Sequence, residues 1–359
     1  RLDYSNGDCP SLLLENQSTN LITYSQDFSS YTLSSGATVE SNYSVSPDGS
    51  LNATRLRSNA SSVSGAQIIS NFGSSIENKS HTVSCFVKSN GIDTNFRLKL
   101  THSGVLDYFS PNFIATSEWK KFSFTQLFGA GASTNFNTGV INSTSNNATD
   151  LSIYGLQLEA EQSYATSYIP TSGTTQTRVA ETCDGAGSSS SINSEEGVFY
   201  AEISALANDS TFRTISLKNN STNTYENTLN ITYSSQTNQI LAVYRVNTSS
   251  VVVLSKILNN ALDFNKIAFK YKSGDFALWV NGVEEDIDSN TTMLLSGVLN
   301  EVIFYRSDNG SLFYGNTKDL RVYNTALTDE ELIYLTGTLG EDYYDNYLEM
   351  SNNLNYNIQ

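Results

Sequence analysis

Apolar and polar residues alternate with a period of two through Thr82-Val83-Ser84-Cys85-Phe86-Val87-Lys88, Phe96-Arg97-Leu98-Lys99-Leu100, Phe122-Ser123-Phe124-Thr125 and Leu151-Ser152-Ile153-Tyr154-Gly155-Leu156-Gln157-Leu158. Such runs, separated by turn residues, predict antiparallel strands with one face buried, and so a sandwich over residues 21–181. A second set begins at residue 196: Gly197–Ile203, Ile240–Val246, Lys266–Tyr271, Phe276–Val280 and Glu301–Tyr305. Between the sets, Asp184-Gly185-Ala186-Gly187 and the serine run Ser188 to Ser191 predict a linker over 182–195, because this composition buries little apolar area. The second sandwich then spans 196–337.

Residues 1–20, with the apolar run Ser11-Leu12-Leu13-Leu14 behind Cys9-Pro10, read as an N-terminal connector strand. Residues 338–359 form an acidic, Tyr-rich tail without clear period, expected either to lack order or to pack on a neighbouring subunit. Asn281-Gly282, directly after Phe276–Val280, predicts a type I′ hairpin, since both residues tolerate positive φ. Thr328-Asp329-Glu330-Glu331-Leu332-Ile333-Tyr334-Leu335 predicts a short helix, with Thr328 as N-cap and Glu331 closing a capping box. The fold class is all-β: two antiparallel β-sandwich (jelly-roll) domains in tandem.

Composition fits that picture. At 359 residues the chain is long enough for two domains of about 100 to 150 residues each. Only 16% of residues are charged, against roughly 25% in ordinary soluble domains, while 21 Tyr and 17 Phe favour pleated strands. The net charge of -16 argues against nucleic acid or an anionic membrane as partner. No apolar run approaches the roughly 20 residues of a membrane span. The chain opens on Arg1-Leu2-Asp3-Tyr4 without an initiator Met, as expected of an excerpt of a longer polypeptide or a processed product. Cys9, Cys85 and Cys183 are too few and too scattered for a disulfide framework and are expected to be buried free thiols.

The succession Gly197–Glu202, Asp263–Ala268, Phe276–Gly282 and Lys318–Leu332, closing on Ala326-Leu327-Thr328-Asp329-Glu330-Glu331-Leu332, resembles the concanavalin A-like, laminin-G-like sandwich. In the first module, Trp119–Phe124, Tyr154–Ala160 and Tyr168-Ile169-Pro170-Thr171 resemble a galactose-binding-like, carbohydrate-binding-module jelly roll. With Arg1–Ser5, Cys9–Glu15, Thr19–Ser25 and Asp27-Phe28-Ser29, the combination is similar to tail-fibre, head-fibre and other virion proteins of bacteriophages. The resemblance implies a place on the virion surface, attachment to a host-surface glycan, contacts with other virion proteins, and a homo-oligomer, with a trimer as the common fibre state. It also leaves open a purely structural decoration role and a polysaccharide depolymerase.

Glycoside hydrolysis needs two carboxylates held across the scissile bond. Glu284-Glu285-Asp286-Ile287-Asp288 is the nearest local candidate, but it lacks the final Glu of the glucanase patterns E-x-D-x-x-E and E-x-D-x-E and follows a hairpin turn. His81 and His102 have no ligand pattern nearby and are expected at a surface or sheet edge. The chain is therefore read as non-catalytic. Calcium is the one cofactor that loop acids could hold, with Asp286, Asp288 and Asp308 as candidate ligands. For a sugar, Tyr108, Phe109 and Tyr305 are the candidate stacking residues, with Arg97 and Arg306 as hydrogen-bond donors. Trp119 and Trp279 sit in strong strand patterns and are expected in the cores.

Overall fold

The computed structural model describes residues 1–4, 9–34, 36–59, 65–71, 78–102, 106–129, 135–143, 147–221 and 224–337; the predicted tail lies outside the described residues. Among the described residues the chain is all-β apart from a one-turn 3-10 helix and one short α-helix, and it divides into two compact units.

One unit is Asn16–Ala180. Its first sheet runs Leu106–Phe109, Thr94–His102, Asn135–Asn142, Gly65–Asn71, Thr32–Leu33, with Phe113–Ala115 also paired to Thr94–His102. Its second sheet is built on Thr149–Ala160, which pairs with Ser80–Ser89 on one side, and with Leu51–Ser58 and then Ser18–Asn20 on the other. Between the sheets lie Val83, Val87, Phe96, Leu98, Leu100, Phe122, Ile153 and Leu158, inward members of the alternating runs, together with Ile22, Phe28 and Leu56. Burying them drives the sandwich together at about 25 cal/mol per Å² of apolar surface. In Thr149–Ala160 a bulge falls between Tyr154 and Gln157, where Gly155 has φ +66° and a Cβ would meet the Tyr168 ring at 3.0 Å. Glycine is required there by both backbone and space.

The other unit joins Arg1–Glu15 to the C-terminal part of the chain from Glu181. Its larger sheet runs Leu2–Asp3, Ser11–Leu14, Gly315–Tyr323, Glu196–Ala205, Asn265–Lys272, Phe276–Val280, Val283–Asp288. The smaller runs Ser249–Ile257, Gln239–Val246, Thr228–Tyr233, Arg213–Lys218, Glu301–Ile303. Phe199, Ile215, Ile231, Tyr244, Ile267, Phe269, Tyr271 and Leu278 fill the space between them. The helix Asp329–Thr336 covers the outer face of the larger sheet, burying Leu332 against Val198, Tyr200, Ala268, Ala277 and Trp279. Its capping box is formed as the sequence predicts, and the hairpin turn holds Asn281 at φ 50° and Gly282 at φ 88°.

Two segments differ from the sequence reading. Ser11–Leu14 is more than a connector strand: it pairs with Gly315–Tyr323, so the jelly roll Asn16–Ala180 is an insertion between the edge of the second sandwich and its remainder. The stretch 182–195 is not a free linker either. Phe304 N–H donates to the Cys183 carbonyl at 3.0 Å, Val302 N–H to Ala186 at 2.7 Å, and Ile192 is buried. Backbone pairing along a strand holds what composition alone could not.

Candidate functional site

Along Thr94–His102, Phe96, Leu98 and Leu100 point into the core, so Arg97, Lys99 and Thr101 share the outward face of the sheet. The neighbouring strand puts Ile141, Gly139 and Asn137 opposite them, and Leu106–Phe109 puts Phe109 opposite Lys99. The result is a cationic and aromatic surface on a rigid sheet. The Arg97 guanidinium carbon lies 4.5 Å from the Phe109 ring centroid, and Lys99 Nζ lies 6.0 Å from it. Cation–π attraction at this range holds a guanidinium flat on a ring. Asp107 accepts a hydrogen bond from Thr101 at 2.7 Å and approaches Lys99 Nζ at 3.4 Å. Arg97 Nε and Asn137 Oδ1 are buried without a hydrogen-bond partner. Desolvation lowers the Arg97 pKa from its usual value.

Of the three candidates in this region, Phe109 and Arg97 come together and Tyr108 does not join them. Tyr108 pairs with inward-facing Leu100, and its ring packs edge-on against Phe128 at 5.4 Å. Strand parity sends it to the core.

In the other unit, Arg306 lies over Tyr225 at 5.0 Å from the ring centroid, and Arg245 lies over the same ring at 4.1 Å. Phe212, Thr214, Tyr225, Thr232, Val243 and Arg306 line a depression of about 80 Å³ on the smaller sheet. Tyr225 was not legible as a site residue, because it lies in a loop ahead of Thr228–Tyr233 and no local pattern marks it. Tyr305 stands apart, half-buried, with its hydroxyl 3.5 Å from Asp184 Oδ2.

The three candidate calcium ligands do not form a cluster. Arg306 grips Asp308 through two hydrogen bonds of 2.8 and 2.9 Å and holds its carboxyl below the usual range. Asp286 accepts from the Ser255 N–H at 2.9 Å, and Asp288 from the Asn290 N–H at 2.7 Å. Among the described residues no group of three or more His, Cys, Asp or Glu side chains is placed to hold a metal ion. The acids of Glu284–Asp288 lie on an edge strand, with Glu285 paired to Lys256 at 2.6 Å.

Other candidates also find their places. Trp279 is buried under the helix, as expected. Trp119 is only half-buried; its indole N–H donates to the Val45 carbonyl at 3.0 Å, and Lys88 sits 5.1 Å over its ring. His81 is buried rather than at a surface, and the His102 side chain lies outside the description. The cysteines are free, but only Cys85 is buried, which pushes its thiol up to about 12; Cys9 is exposed and Cys183 half-buried.

Residues 187–333 match the family model of the concanavalin A-like lectin/glucanases superfamily. Over those residues the second sandwich is similar to that superfamily. No curated protein matches the chain in sequence. Among solved structures, leech intramolecular trans-sialidase complexed with 2,7-anhydro-Neu5Ac is 20% identical over 40% of this chain and 24% of its own, with a TM-score of 0.34. The Ruminococcus gnavus IT-sialidase CBM40 bound to alpha2,3 sialyllactose is 15% identical over 44% of this chain and 96% of its own, also at 0.34. The CBM22-1 xylan-binding domain from Paenibacillus barcinonensis is 9% identical over 43% and 97%, at 0.32. At these scores the likeness assigns no ligand to this chain.

Proposed function

We propose that the protein is a non-catalytic attachment protein that binds a surface glycan, through the outward face of the Thr94–His102 sheet. The observation that carries this reading is the Arg97–Phe109 pair at 4.5 Å, with Asn137 further along the same face, opposite Thr101. An aromatic ring, a fixed guanidinium and an amide are the groups that sugars use for stacking and for bonding hydroxyls. They stand on strands, not on a loop, so little ordering is required when a ligand arrives.

The lectin-superfamily match over 187–333 supports the same reading for the second sandwich, where the depression beside Tyr225 and Arg306 is the corresponding place. The setting we propose is the surface of a bacteriophage particle, in a fibre or appendage, on the resemblance of the Arg1–Ser5, Cys9–Glu15 and Thr19–Ser29 segments to virion proteins. A homo-oligomer would present several weak sites at once and multiply avidity.

A glycan array probed with the intact chain, with and without calcium, tests this. Binding that Phe109→Ala abolishes supports the proposal. A blank array, or release of reducing ends from a bound polysaccharide, contradicts it.

A further inference from the structure

Arg97 differs from every other arginine of the chain. Arg1 pairs with Glu15, Arg55 and Arg57 with Asp150, Arg213 with Asp209, Arg306 with Asp308 and Arg321 with Asp319. Arg178 and Arg245 donate to backbone carbonyls. Arg97 makes no hydrogen bond or ion pair among the described residues; its one contact of this kind is with the Phe109 ring. This happens in a chain with 36 acidic and 20 basic residues, where a carboxylate partner is the easiest thing to supply.

A buried N–H without an acceptor weakens a fold unless something else takes the bond. The ring of Phe109 lies 4.5 Å from the guanidinium carbon, and a planar fork matches a carboxylate in a way that a flexible ammonium does not. Lys99 adds a second cation on the same face, and Gly139, opposite Lys99 on the next strand, projects no side chain between Asn137 and Ile141.

Resting on the attachment reading above, we infer that the ligand of this face is a carboxylated pyranose of the uronic-acid type, its carboxylate on the Arg97 fork. The net charge of -16 sharpens the expectation. Anionic polymers are repelled by the chain as a whole, so binding requires this local site and not general attraction. A sulfate group is the alternative anion, since two of its oxygens also accept from a guanidinium fork, and dextran sulfate distinguishes it.

The test is direct binding of the full chain to alginate, polygalacturonate and hyaluronan, each beside its carboxyl-reduced form, with dextran and dextran sulfate alongside. The expected result is binding to at least one uronate polymer, weakened at least tenfold by carboxyl reduction. Arg97→Gln should produce the same loss, and Arg97→Lys should restore only part of it. Carboxyl reduction alters the ligand alone, so the outcome stands even if a variant folds poorly. Equal binding to the reduced polymers or to dextran, or preference for dextran sulfate, overturns the uronate inference and leaves glycan attachment standing. Failure to bind any charged or neutral glycan overturns both.

Discussion

The Glu181 N–H donates to the Glu15 carbonyl at 3.0 Å, and the Glu15 N–H donates to the Glu181 carboxylate at 2.9 Å. The chain therefore leaves the second sandwich and returns to it at one point, with the guanidinium of Arg1 bonded to Glu15 and 3.6 Å from Glu181. Each unit keeps its own buried core. Replacing residues 16–180 by an Asn-Gly turn should leave a sandwich that unfolds in one cooperative step by circular dichroism. An aggregating product, or one without a transition, contradicts the insertion.

The hairpin after Phe276–Val280 depends on Gly282, whose φ of +88° is unfavourable for other residues and where a Cβ would come 3.1 Å from Gly337 Cα. Gly282→Val should lower stability by about 1 to 2 kcal/mol in urea unfolding. An unchanged midpoint would contradict the turn geometry.

These local features were readable because each depends on residues close in sequence: Asn281-Gly282 for the turn, Thr328 and Glu331 for the cap, alternation for Arg97 against Leu98. What could not be read depends on pairing across long separations. Ser11–Leu14 finds Gly315–Tyr323 some three hundred positions away, and no local pattern states that. Tyr108 and Phe109 are equivalent in composition terms; only the register with Leu100 and Lys99 decides which of them faces out. Tyr225 acquires its two arginines from later in the chain, Arg245 on Gln239–Val246 and Arg306 in the turn after Glu301–Ile303.

The helix Asp329–Thr336 seals Trp279, and Leu332 is its fully buried contact. Leu332→Ala should cost about 2 to 5 kcal/mol and shift tryptophan emission to the red as Trp279 is wetted. Thr328→Ala, which removes only the cap, should cost about 1 kcal/mol and leave the emission unchanged. Equal effects of the two variants would contradict this packing.

Burial lowers the pKa of His81 to about 4, against a smaller opposing contribution from its hydrogen bond with the Lys79 backbone. The folded form thus keeps the imidazole neutral while the unfolded chain takes up a proton from about pH 6.5 downward. Stability from this group is complete above that pH and is lost as pH falls towards 4, by on the order of 2 to 3 kcal/mol. Urea midpoints of the wild type and His81→Gln, followed from pH 7.5 to 4.5, should converge as the pH falls. Parallel curves would contradict a buried neutral His81.

The most direct test of the binding face is hydrogen exchange read by mass spectrometry, on the intact chain with and without a glycan that it binds. Slowed exchange is expected in peptides covering Thr94–His102, Leu106–Phe109 and Asn135–Asn142, lost in Phe109→Ala. Protection confined to other segments, with these three unchanged, would contradict it.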